Sequence, residues 1–119
     1  MSTSFNTKLH PLGVCIYSLN GDFLRNATAE EFIDQLEHDL EKGKRKFLLN
    51  LKDLKHIDSS GLSVLLRFFT KIRNKGGDSS IIHPAVSVLK LLEISKLNTV
   101  FRIETSEESA IQHLTAHEA

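Results

Sequence analysis

The sequence predicts an α/β fold, a single domain built on a mixed sheet of four to five strands with about four helices. Three observations carry that prediction. Runs rich in β-formers alternate with stretches of helical periodicity along the whole chain. One run, Phe47 to Leu51, is apolar at nearly every position, the pattern of a strand covered on both faces. The 119 residues contain no internal repeat, low-complexity tract or Pro/Ser-rich linker, so residues 1–119 are expected to form one domain around one core.

The elements follow in order. Ser4 to Leu9 alternates weakly, His10-Pro11-Leu12-Gly13 reads as a turn, and Val14 to Leu19 is apolar on both faces; together they suggest a hairpin entering the sheet. Asn20-Gly21-Asp22 is expected to break the run. Thr28 and Glu31 have capping-box spacing, so a helix is expected to open there, with Phe32, Ile33, Leu36 and Leu40 on one stripe and Gly43 at its end. Phe47 to Leu51 is the central strand, followed by a loop. Ser60 to Lys75 is a second helix closed by Gly76-Gly77, and Asp78 to Ile82 returns as a strand, which implies a parallel pair with a right-handed crossover. Pro84 suits the first turn of a third helix, Ala85 to Ile94. Phe101 to Ile103 is a short strand, and Thr105 with Glu108 forms another capping box before a helix carrying Ala110, Ile111 and Leu114.

Composition narrows the function. The chain is 40% hydrophobic and 25% charged, an ordinary globular mixture, and its 15 basic residues balance 15 acidic ones. No bulk field directs it to nucleic acid or to an anionic membrane, and Lys44-Arg45-Lys46 is too short a run to change that. The polar Met1 to Asn6 lacks the pattern of a secretory signal and no apolar run approaches a membrane span, so the cytoplasm is the expected location. Cys15, the lone cysteine, lies between Val14 and Ile16 and reads as a small buried apolar residue. His113 and His117 share a helix face but lack the further ligands a zinc site needs, so neither metal nor cofactor is expected. His56, Asp58 and Ser59 are close in sequence without a Gly-x-Ser-x-Gly elbow, and no phosphate-binding Gly-rich loop with Lys-Ser/Thr is present. A binding protein is expected in preference to an enzyme.

The most informative stretch is 50–62, Asn-Leu-Lys-Asp-Leu-Lys-His-Ile-Asp-Ser-Ser-Gly-Leu, where a buried strand ends and Asp58-Ser59-Ser60-Gly61 leads into a helix. In open α/β sheets, sites form outside the carboxyl ends of the strands. A phosphoryl group on Ser59 or Ser60 would face backbone N–H groups and the positive end of the helix dipole, and Gly61 leaves room beside them. Equally, Asp and Ser are the favoured N-cap residues, so plain capping accounts for the same residues. Ser60 reads as the better placed cap.

This stretch resembles the signature of the STAS domain of anti-sigma factor antagonists, whose Asp-Ser-[Ser/Thr]-Gly motif bears a phosphorylated serine. Asn20-Gly21-Asp22, the turn 74–77 and Pro84-Ala85-Val86 extend the resemblance over nearly the whole chain. It implies a STAS-like fold and a protein that, unphosphorylated, binds an anti-sigma factor with serine kinase activity and so frees a sigma factor. The same resemblance implies that phosphorylation of Ser59 switches it off and that a serine phosphatase reactivates it. Asp58 carries over as the acidic neighbour of the phosphosite and Asp22 as a second acid. Leu24, where the family often has an acid, and Lys96, where it often has Gly, are departures on prospective contact surfaces. The rival readings are a STAS subunit of a larger signalling or transport-associated complex, with Ser59 mainly a cap, and a small nucleotide-dependent enzyme.

The helix after the motif carries Leu62, Val64, Leu65, Leu66, Phe68, Phe69 and Ile72, an arc of roughly 200°, wider than one core face needs. Two readings follow. Either Leu62, Leu65, Leu66, Phe69 and Ile72 face the sheet while Val64 and Phe68 pack on the third helix, or Val64 and Phe68 form the apolar centre of a partner-binding surface ringed by Arg67 and Lys71.

Overall fold

The structure, a computed structural model, describes residues 3–23, 26–99 and 101–116. Five strands pair in chain order: β1 (Thr3–Leu9), β2 (Cys15–Phe23), β3 (Lys46–His56), β4 (Asp78–Ile82) and β5 (Ile103–Glu104). β1 runs antiparallel to β2 as the hairpin partner, and every later pairing is parallel. Between the strands lie α1 (Asn26–Glu41), α2 (Ser59–Asn74) and α3 (Val86–Ile94), and α4 (Glu107–Thr115) follows the sheet.

The apolar run in β3 has the cause expected of it. Phe47, Leu49 and Leu51 enter the larger core beneath α1, α2 and α3. Leu48 points the other way, into a smaller core where Val14, Ile16 and Ile82 meet Ala110, Ile111 and Leu114 of α4. Alternate side chains therefore bury on opposite faces, each against helix. Cys15 is buried, and burial pushes its thiol pKa up. Tyr17 donates its hydroxyl to Asp39 and so joins β2 to α1.

Several boundaries differ from the sequence reading, each for a local reason. β3 does not yield to a loop after Leu51 but continues to His56, because Leu51 and Leu54 stay buried while the residues between them face solvent. Its extension pairs with β2, which passes through Asn20-Gly21-Asp22 to Phe23, with a register shift between Ser18 and Asn20 and with Gly21 at φ 124°. α1 begins at Asn26, so Thr28 sits inside its first turn and does not open it. Ala85 is the N-cap of α3, placing Pro84 before the helix. Ser106, not Thr105, caps α4 by accepting the Ser109 N–H at 3.1 Å. Phe101 precedes β5, its ring packed 4.6 Å from that of Phe69. Lys96 follows the Ser95 C-cap with φ 61°, the left-handed conformation that explains why glycine suits the position. Leu24 lies outside the described residues.

Phe68 requires a larger correction. It has no exposed surface, stacks on Phe32 of α1 at 4.8 Å, and meets Tyr17, Phe47 and Phe69 edge-on. Gly61, Leu62, Leu65, Phe68, Phe69 and Ile72 form the buried face of α2, leaving Val64 and Leu66 half-buried at its margins. Phe68 therefore belongs to the core between α1, α2 and the sheet and takes no part in a partner surface. Phe68→Ala is expected to cost about 3 to 5 kcal/mol in urea denaturation. At the other end of α2, Gly76 turns the chain with φ 81°, and a Cβ on Gly77 would lie 2.6 Å from the Arg45 carbonyl oxygen. Gly77→Ala should destabilise by about 1 to 3 kcal/mol in the same measurement, the usual range for forced overpacking.

Candidate functional site

β3 carries the chain to the carboxyl end of the sheet, where Ile57 remains half-buried and Asp58, Ser59 and Ser60 emerge into solvent. Asp58 is extended, at φ −107° and ψ −170°, which turns its side chain back over the first turn of α2. Its Oδ1 accepts the Gly61 N–H at 2.9 Å and the Ser60 hydroxyl at 2.7 Å. Asp58 is thus the N-cap, and Ser60, expected to be the cap, is a donor to it. The Gly61 N–H, followed by the Ser60 hydroxyl, holds the Asp58 carboxyl below the usual carboxylate range.

Ser59 occupies the first helical position and is exposed; among the described residues its hydroxyl has no hydrogen-bond partner. Its carbonyl accepts the Ser63 hydroxyl at 3.1 Å. Gly61 is buried on the core-facing side of the first turn. Asp22 lies in β2 between Gly21 and Phe23, which pair with Leu54 and His56, so its backbone is at this same end of the sheet. Its side chain is outside what the structure describes.

From Ser60 an exposed ridge runs down α2 through Ser63 to Arg67, with Val64 half-buried beside it. Lys71, further along, is held by Glu37 of α1 at 3.0 Å. The structure thus brings Asp58, Ser59, Ser60 and Gly61 together and leaves Arg67 exposed on the same helix, with Val64 half-buried against the core beside it. A link that the sequence reading missed comes from α3, where Ser87 donates its hydroxyl to the Lys55 carbonyl and ties that helix to the strand just before the site. No motif announces such a bond, because it joins residues 32 positions apart. Among the described residues no three His, Cys, Asp or Glu side chains are grouped to hold a metal; His113 lies 3.9 Å from Glu104, and His117 is outside the described residues.

The cap has a measurable pH signature. A carboxyl held below its unfolded value of about 3.9 contributes its full stabilisation above that pH and loses it as pH falls through the lower folded value. Asn caps as well as Asp, so Asp58→Asn should leave stability at pH 7 nearly unchanged and remove this part of the acid sensitivity. Asp58→Ala should lose about 1 kcal/mol at pH 7. Urea titrations at neutral and acid pH compare the three proteins.

Comparison with known proteins gives this arrangement a family. The STAS domain family matches residues 7–110. The anti-sigma F factor antagonist of Paenibacillus polymyxa is 31% identical over 106 residues, 88% of this chain and 90% of that protein. The anti-sigma factor antagonist SpoIIAA in its unphosphorylated form shares the fold at a TM-score of 0.80 and 20% identity, over 98% of this chain and 100% of that one. The Bacillus cell fate determinant SpoIIAA in the phosphorylated form does so at 0.73 and 20%, over 92% and 98%. The curated relatives are named as anti-sigma factor antagonists. The chain belongs to the STAS domain family of anti-sigma factor antagonists.

Proposed function

We propose that this chain is an anti-sigma factor antagonist switched by phosphorylation of Ser59: the bare form binds an anti-sigma factor that is also a serine kinase and thereby frees a sigma factor. Phosphate on Ser59 releases that partner, and a serine phosphatase restores binding. The observation that carries the reading is the exposed Ser59, its hydroxyl without a partner among the described residues, at the head of a helix anchored by Asp58. The Paenibacillus relative, an antagonist of an anti-sigma F factor by name, supports the class of partner. The exposed Arg67 and the half-buried Val64 beside it supply the charged and apolar contacts of the binding surface, with Lys71 at its far end.

Local charge is sufficient for the switch. Phosphoserine carries about −1.5 to −2 charges at pH 7. When the complex strips water from the site, each like-charge pair at roughly 5 Å and an effective dielectric near 20 costs on the order of 3 kcal/mol. About 2.7 kcal/mol weakens binding a hundredfold, so one pair is enough. The Asp58 carboxylate is already present to form it.

Ser59→Ala is expected to stay unmodified when the chain is incubated with its kinase and ATP, with the phosphate of the wild type mapped to Ser59 by mass spectrometry. Ser59→Asp should retain wild-type circular dichroism and melting temperature while losing most partner affinity in titration calorimetry. Arg67→Glu should weaken the same binding with little change in stability. Amide NMR shifts on phosphorylation should be confined to residues 53–65 and their neighbours; shifts spread through the sheet and α4 would replace the local block with a conformational switch.

A further inference from the structure

Ser59 and Ser60 are adjacent, exposed and chemically identical, so their intrinsic reactivity does not decide which one is phosphorylated. We infer that Asp58 is the selector: it ties the Ser60 hydroxyl to the helix cap and leaves the Ser59 hydroxyl as the one free to attack. The inference rests on the reading of this turn as a phosphoacceptor site.

The geometry separates the two serines cleanly. Ser60 Oγ donates to Asp58 Oδ1 at 2.7 Å, and the same oxygen receives the Gly61 N–H at 2.9 Å. A hydroxyl bonded to a carboxylate has its rotamer set toward that carboxylate. To reach a phosphorus atom, Ser60 Oγ must break the bond and swing outward, whereas in-line attack needs an oxygen already presented. Ser59, about 100° around the helix, makes no such bond among the described residues.

The opposite reading has Asp58 activating Ser60 by taking its proton, as a catalytic aspartate does for a kinase substrate. The environment of the carboxylate opposes it. Asp58 Oδ1 already accepts two hydrogen bonds, and those bonds make the carboxyl a weaker base than an ordinary one. In the reaction favoured here, Ser59 Oγ forms a bond to the γ-phosphorus of ATP held by the kinase. The bond from that phosphorus to the β,γ-bridging oxygen breaks, ADP leaves with the electron pair, and the hydroxyl proton passes to a base of the kinase. Asp58 is a positioning residue in this step and forms no bond to the reacting atoms.

The test uses wild type, Asp58→Asn and Asp58→Ala in two measurements. The first needs no kinase: NMR couplings between Hα and Hβ report the side-chain rotamers. Ser60 should hold a single rotamer in wild type and Asp58→Asn, whose amide oxygen accepts the same bonds, and should average in Asp58→Ala, while Ser59 averages in all three. Averaged Ser60 couplings in the wild type would overturn the inference. In the second, each protein is incubated with ATP and the anti-sigma F factor of Paenibacillus polymyxa, and the modified serine is mapped. Wild type and Asp58→Asn should carry phosphate on Ser59, and in Asp58→Ala the Ser60 to Ser59 ratio should rise about tenfold, the factor that loss of one charge-assisted hydrogen bond allows. Asp58→Ala modified on Ser59 alone, at the wild-type rate, sinks the selector. A wild type modified at neither serine overturns the phosphoacceptor reading itself, and the couplings still decide the tether.

Discussion

Burial of β3 on both faces is the constraint from which the rest of the molecule follows. With Leu49 committed to the core under α1 and α2 and Leu48 to the core under α4, the strand needs helix above and below it. Its neighbours must then be parallel strands reached by helical crossovers, and β2 and β4 are paired to it in parallel. A parallel strand delivers its chain to the carboxyl edge of the sheet, and the next helix must begin there and turn back. The first turn of α2, with both serines, is therefore exposed by topology. The Phe68 stack on Phe32 holds the body of α2 against α1, so the head of the helix stands on a rigid support.

The alternation of elements, the hairpin, the central strand and the helix after it were legible because each is written in periodicity over many residues. Helix starts were less legible, since several polar residues near each start compete to cap it. Asn26, Thr28, Asp58, Ser60, Thr105 and Ser106 are all competent by type, and backbone geometry chooses among them. The length of β3 was hidden because polar residues after Leu51 look like a loop until β2 is known to run beside them. The fate of Phe68 was hidden for a related reason. A helical wheel gives the width of an apolar arc but not which neighbour covers each part, and here α1, not α3, takes the side on which Phe68 lies.

At the site, the capping role that residue type suggests for Ser60 differs from the one the structure shows. Ser60 has the composition of a cap and is a donor to the cap; Asp58, the acidic neighbour of Ser59, is also the residue that organises the turn. The difference arises because capping is a property of φ and ψ and not of residue type alone. Asp58 at ψ −170° can reach back to the third N–H of the helix, and a residue already inside the helix cannot.

That assignment changes the electrostatics of the proposed switch. A helix N-terminus with vacant N–H groups would welcome a phosphate, but here the Asp58 carboxylate has already taken the Gly61 N–H. A phosphate on Ser59 would add its charge beside an existing anion instead of filling an empty site. In open water the cost is small, since two unit charges roughly 5 Å apart repel by only about 0.8 kcal/mol at a dielectric of 80, less with salt. The free domain, with Asp58 and Ser59 both exposed, tolerates it. Once a partner excludes the water, the same pair costs about four times as much, because the effective dielectric falls by that factor. The repulsion is thus nearly absent in the free protein and large in the complex, which is the asymmetry a binding switch requires. On this account Asp58 does two jobs with one carboxylate: it builds the turn that presents Ser59, and it supplies the charge against which phosphate acts.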